Sequence, residues 1–213
     1  MPKLLITAFA PYAEWPVNAS SETLAAWLAQ SSTRAGGMSI ETAILPVQYE
    51  PAERELARLR RDWFDFTLLL GQSPGSQQPA LEMFALNIKG DAERGPLPLD
   101  AQGPTALRSQ LPLAQWQAAI SAEGGAAQVS CHAGTYLCNA VYYWSLRQDA
   151  AQGSADRSLF LHLPLIREAG PAAEGPVHKA VGVPLATNVT ALELVVRQIE
   201  RRLMPDHAGT GIA

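Results

Sequence analysis

The run Phe66-Thr67-Leu68-Leu69-Leu70, closed by Gly71, decides the fold. A strand with one wet face alternates apolar and polar residues, whereas a strand covered on both faces reads as a continuous apolar run. This stretch is therefore expected to be a central parallel strand with helices on both sides. The chain keeps the same rhythm outward from it. Residues 4–9, 40–47, 127–131 and 158–163 read as further strands, and 80–88 as a strand-like stretch. Helical periodicity runs through 18–30, 50–61, 113–122, 135–146 and 188–203. The first of these helices is opened by the cap-forming series Asn18-Ala-Ser-Ser-Glu22. Residues 11–16 and 71–79 read as loops, 89–112 as a long surface loop rich in Gly, Pro and Asp, and 167–183 as irregular. Alternating strands and helices imply an α/β protein whose mainly parallel sheet is sandwiched by helices. No repeat or linker interrupts the pattern. A single domain over 1–204 and a disordered tail over 205–213 are expected.

The 213 residues are 47% hydrophobic and 17% charged, which suits a globular chain rather than a disordered one. Net charge is −4 and no basic block stands out, so nucleic acid is not an expected partner. The opening Met1-Pro-Lys-Leu-Leu-Ile-Thr-Ala-Phe-Ala-Pro11 is not a signal peptide: its apolar run is short and Pro11 breaks it. No run approaches the roughly 20 apolar residues that span a bilayer. Two cysteines do not make a disulfide framework. These features point to a cytoplasmic protein with no membrane partner.

In open sheets of this kind, ligands bind beyond the carboxyl ends of the strands. The segments 9–16, 71–78, 131–138 and 162–165 fall there. Both cysteines lie in Ser130-Cys-His-Ala-Gly-Thr-Tyr-Leu-Cys-Asn139. Cys138 is placed in the first turn of a helix, where free amides and the positive dipole end stabilise a thiolate and can receive an oxyanion. A cysteine nucleophile needs a base, and His162 ends a neighbouring strand. Glu82, an acid inside an apolar run, is a candidate to orient that histidine. Each has a plainer reading: Cys138 as a small buried hydrophobe, His162 as a core histidine, Glu82 as an outward-pointing acid. Cys131, His132 and Cys138 raise the question of zinc, but their spacing fits no common structural site, and no metal is expected. A Cys131–Cys138 disulfide is opposed by the strand-to-helix separation. Cys131 is instead expected to be buried at its strand end.

Taken together, these windows resemble the pyroglutamyl peptidase I family, also called pyrrolidone-carboxylate peptidases. The carrying segments are Thr7-Ala-Phe-Ala-Pro-Tyr12, Asn18-Ala-Ser20, Gly71-Gln72, Glu82-Met-Phe-Ala-Leu-Asn87, the whole of 130–139, and Phe160-Leu-His-Leu-Pro164. The likeness runs from residue 3 to about 203. It implies a three-layer α/β/α sandwich with a mostly parallel twisted sheet, of the phosphorylase/hydrolase-like kind. It implies a cysteine exopeptidase that releases N-terminal pyroglutamate from peptides. Cys138 would be the nucleophile, His162 the general base and then acid, and Glu82 its partner. Phe9, Tyr12, Gln72, Tyr136 and Leu137 would contact the lactam ring. No cofactor is implied, and homo-oligomers (dimers or tetramers) are the family habit.

The sequence also departs from the family pattern. Ala8 replaces a glycine, Ala10 an acidic residue, and Ala13-Glu14 a double glycine. Met83 stands where the family has Arg after the Glu. The family's further Arg, downstream of that Glu, falls on Ala92, and Arg94 or Lys89 is the candidate replacement cation. Two other functions stay open on this ground: a divergent cysteine hydrolase with the same triad and another small acyl or amide substrate, and a catalytically silent lactam-binding homologue.

Overall fold

The apolar run at 66–70 lies at the heart of a six-stranded sheet. The computed structural model describes residues 1–12, 15–30, 37–90, 95–154, 156–167 and 182–205. In it, β1 (Lys3–Phe9), α1 (Ala19–Gln30), β2 (Ser39–Leu45), α2 (Tyr49–Leu59) and β3 (Phe66–Ser73) are followed by β4 (Ala80–Glu82), β5 (Phe84–Leu86) and β6 (Ala106–Arg108). Then come α3 (Leu113–Ala122), β7 (Gln128–Ser130), α4 (Leu137–Ala151), β8 (Ser158–Pro164) and α5 (Leu185–Leu203). The strand order is β2-β1-β3-β8-β4-β7. The first four strands run parallel, β4 runs antiparallel to β8, and β7 is parallel to β4. The chain is thus an α/β protein with a mostly parallel sheet.

Side chains alternate across the sheet, so each strand feeds two cores. Leu4, Ile6, Leu68, Leu70 and Leu161 pack with Leu24 and Trp27 of α1, Trp116 of α3, and Leu192 and Ile199 of α5. Leu5, Leu69 and Phe160 pack on the other face with Leu56 of α2 and Tyr142 and Tyr143 of α4. Each fully buried leucine contributes on the order of 1.5–3 kcal/mol relative to exposure.

Several boundaries differ from expectation. β3 continues through Gly71-Gln72-Ser73, because these residues pair with His162, Leu163 and Pro164. The stretch 80–88 is two strands, not one. At Met83 the chain leaves the main sheet: its N–H donates to the Ser130 carbonyl (2.8 Å) and its carbonyl accepts from Ser109 (2.9 Å). Beyond it, β5 pairs antiparallel with β6, a strand inside the expected 89–112 loop. Both halves are apolar, so no break shows in the sequence. α4 runs on to Ala151 because Asp149, fully buried, is paired with Arg60 from the end of α2. Arg60 also donates to the Ser145 carbonyl at 2.9 Å. Most of the expected irregular stretch 167–183, and the expected tail from residue 206 onward, lie outside the described residues. Among the described residues, no helix is long and apolar enough to cross a membrane.

Candidate active site

Four chain segments meet at the carboxyl ends of β1, β3 and β8. Asn18 stands just before α1, and its Oδ1 accepts from Ser20 N (3.0 Å) and Ser20 Oγ (2.7 Å). Ser20 Oγ in turn accepts from Phe9 N at 3.0 Å, tying the end of β1 to the start of the helix. Gln72, at the end of β3, accepts from Ala19 N through Oε1 at 2.7 Å. Its Nε2 is buried with no hydrogen-bond partner.

α4 starts at Leu137 after Tyr136 in extended conformation, so Cys138 lies in its first turn. Gly71 makes room for it: a β-carbon built there would lie 2.9 Å from Cys138 Sγ and 2.5 Å from Phe160 Cζ. Gly71 pairs in register with His162, whose ring meets Phe160 edge-on, centroids 4.7 Å apart. His162 Nδ1 lies 2.6 Å from Glu82 Oε1. The other ring nitrogen is left for Cys138, which lines the same groove. His162 is 8% exposed and Glu82 2%. Burial by itself pushes the histidine pKa down. The neighbouring Cys138 sulfur and the Glu82 carboxylate outweigh that and lift it to about 9. At neutral pH, His162 is therefore protonated, with Glu82 on one side of its ring and Cys138 on the other.

Two cavities meet at Cys138. One is narrow, about 20 Å³, and lined by Phe9, Tyr12, Gln72, Tyr136 and Leu137 together with Asn18 and Val47. The other is an open groove of about 480 Å³ that includes Cys138, His162, Glu82, Ser73–Ser76 and 132–136. All five ring-contact candidates thus share one pocket, and the three triad candidates share the groove beside it. The sequence reading missed Asn18 and Val47 as pocket residues. Asn18 was read as a helix cap and as part of a family motif, and Val47 was assigned to a strand that in fact ends at Leu45.

Asn139 was also missed. Fully buried, it accepts from Leu86 N (2.7 Å) and donates to the carbonyls of Leu86 (2.8 Å) and Ile88 (3.2 Å). This clamps the segment after β5 onto the start of α4. Next to it, Gly90 N donates to the Thr135 carbonyl at 3.1 Å. Lys89 reaches away from Cys138: its Nζ is 3.2 Å from Glu50 and sits over the Tyr49 ring, 4.7 Å from the centroid. It lines neither cavity. Tyr49 in turn meets Tyr136 edge to face, at 5.4 Å and 85°. Arg94, the other candidate cation, lies outside the described residues. Cys131 is exposed, not buried, because β7 stops at Ser130 and leaves it on the following turn. Both cysteines are free.

A cysteine in a helix's first turn, sharing a groove with a histidine backed by a buried carboxylate on an α/β sheet, is the arrangement of a cysteine peptidase. The comparison with known proteins narrows the class. The profile of the pyroglutamyl peptidase family matches residues 2–202, and the chain belongs to that family. It is 32% identical over 207 residues to the pyrrolidone-carboxylate peptidase of Pectobacterium carotovorum, covering 93% of each chain. It is also 32% identical, over 209 residues, to pyrrolidone-carboxylate peptidase 1 of Ralstonia nicotianae, covering 94% of this chain and 95% of that one. Among solved structures, the pyrrolidone carboxyl peptidase of Fervidobacterium islandicum matches with a TM-score of 0.84 at 27% identity, over 94% of this chain and 99% of that one. The Thermococcus litoralis enzyme shares the fold, with a TM-score of 0.82 at 23% identity over 100% of this chain and 99% of that one.

Proposed function

We propose that this chain removes N-terminal pyroglutamate from peptides, using Cys138, His162 and Glu82 as a catalytic triad. The observation that carries the reading is the position of Cys138 at the junction of a narrow apolar pocket and an open groove, with His162 on the groove side. An exopeptidase that takes one terminal ring needs a blind pocket for the ring and an exit for the rest of the chain. A lactam has no free α-amine, so recognition has to rest on shape and hydrogen bonds rather than on charge. Phe9, Tyr12, Tyr136 and Leu137 supply a flat apolar slot. The unpartnered Gln72 Nε2 is a donor available to the ring carbonyl. The space is narrow, and Tyr136, half-exposed (49%) and held at its edge by Tyr49, is the wall that has to move to admit the ring.

In this reading the Cys138 thiolate attacks the pyroglutamyl carbonyl. The oxyanion forms against the free amides at the start of α4. His162 delivers its proton to the departing amine as the C–N bond breaks, leaving a thioester. Water then enters by the groove, gives a proton to His162, and attacks the thioester. Collapse releases pyroglutamate and restores the thiolate–imidazolium pair. Glu82 keeps the His162 ring oriented and offsets the positive charge on it. The sulfur must stay reduced, so the reading includes a reducing, cytoplasmic setting. It also treats 1–204 as one folding unit and includes self-association as a dimer or tetramer, which light scattering on the purified chain measures.

The narrow pocket favours a second reading, a cysteine hydrolase with the same triad and a smaller acyl group. The deciding experiment is hydrolysis of a fluorogenic pyroglutamyl amide by reduced wild type and by Cys138→Ala. The expected result is turnover in the first and none in the second. A wild type that does not turn over, while iodoacetamide still alkylates Cys138, overturns the pyroglutamyl reading in favour of the redirected hydrolase.

A further inference from the structure

The pair Cys131-His132 stands out in the sequence and has no part in the triad. In the structure, His132 lines the open groove together with Cys138 and His162. Its ring is held from behind. Gly134 N donates to His132 Nδ1 at 3.1 Å, and Ser130 Oγ donates to the His132 carbonyl at 3.3 Å. Gly134 has φ +76°, the left-handed conformation a glycine adopts without strain, within this turn. An Nδ1 that accepts a hydrogen bond carries no proton, so the hydrogen of the neutral ring is on Nε2. The ring can therefore offer one donor, the Nε2–H, on the side away from Gly134.

The rest of the groove is electrically plain. Among the described residues no Lys, Arg or Asp lines it, and its other ionisable side chains are Glu82, His162, Cys138, Tyr12 and Tyr136. A departing peptide therefore meets neutral groups such as Ser73, Ser76 and Gln128, and one exposed imidazole. What every peptide leaving group has, and a simple amine lacks, is a carbonyl one residue beyond the scissile bond.

We propose that His132 is a specificity-determining residue on the leaving-group side, its Nε2–H donating to the carbonyl of the first residue after pyroglutamate. The assignment rests on the pyroglutamyl peptidase reading given above. It makes the enzyme favour peptides over pyroglutamyl amides of simple amines. The contact is separate from the proton transfer performed by His162.

The test compares two substrates, pyroglutamyl-alanine amide, which carries that carbonyl, and pyroglutamyl anilide, which does not. Wild type, His132→Ala and His132→Gln are assayed on both. The ratio of kcat/KM for the peptide to that for the anilide is expected to fall about fivefold in His132→Ala, mostly through KM. His132→Gln, whose amide places an N–H at similar reach, is expected to restore most of it. An unchanged ratio, or an equal loss on both substrates, overturns the proposal, since a turn that merely braces Cys138 would affect both alike. A wild type that cleaves neither substrate overturns the underlying reading and this proposal with it.

Discussion

Gly71 and Cys138 face each other so closely that a single added carbon on Gly71 would lie 2.9 Å from the Cys138 sulfur. The same carbon would meet Phe160, whose ring supports His162. Gly71→Ala is therefore expected to displace the sulfur and the imidazole together. Overpacking of this kind costs about 1–3 kcal/mol of stability. The kcat/KM of the folded variant is expected to fall at least about tenfold, because small displacements of reacting groups are costly. Steady-state kinetics beside a thermal melt measures both effects, and wild-type activity in Gly71→Ala would show that the contact is tolerated.

Glu82 is one of the groups that keep the His162 pKa high, and its removal has a direct readout. The activity of wild type is expected to fall on the alkaline side near pH 9, as His162 loses the proton that the proposed mechanism hands to the leaving amine. In Glu82→Gln this limb is expected to shift to lower pH, with a loss of about 10²-fold or more at the optimum. Full pH–rate profiles of the two proteins check it; identical limbs would mean that Glu82 does not act on His162.

The same raised pKa bears on stability. A histidine that titrates near 6.5 when unfolded and near 9 when folded contributes stability that is fully present below pH 6.5 and lost as pH climbs through 9. Urea unfolding midpoints are expected to drop between those values, and to drop less in His162→Gln. Equal slopes in both proteins would rule the linkage out.

Tyr136 closes the narrow pocket, and Tyr49 holds it by an edge-to-face contact at 5.4 Å. Such pairs are worth about 0.5–1.5 kcal/mol. Tyr49→Ala is therefore expected to raise KM by roughly 2- to 10-fold and leave kcat nearly unchanged. A change confined to kcat would place Tyr49 in another role.

Arg60 and Asp149 form a buried pair far from the groove. Removing one partner leaves the other charged and alone, which costs about 3–5 kcal/mol. Asp149→Ala is expected to lower stability by that order while the remaining folded protein keeps the wild-type KM. Chemical denaturation measures the first and substrate titration the second.

Much of this was legible in the sequence, for reasons that differ by element. The limits of α3, Leu113–Ala122, were read directly because its apolar residues repeat at helical spacing between turn-forming neighbours. The run at 66–70 announced a central strand because both its faces are covered. β6 was not legible, since Ala-Leu-Arg is too short to show a period and is largely exposed. The extension of α4 past 146 was not legible, because an acid such as Asp149 is normally a surface residue and its partner Arg60 lies far away in sequence. That Cys138, His162 and Glu82 would lie close together could be expected from residue types and strand ends. What could not be read was that β4 runs against β8, since neighbouring strand directions leave no mark on short apolar segments.

That reversal has a consequence of its own. Ala80 pairs with His162, so Glu82 lies back along β8 from the histidine, down in the sheet rather than out at the mouth. The His162–Glu82 contact is therefore set by strand register, while much of the groove rim, 74–76 and 132–136, belongs to segments outside the strands. The rim can drift or be exchanged independently of the machinery beneath it. A protein built this way invites grafting: new loops for new leaving groups, set on an unaltered engine.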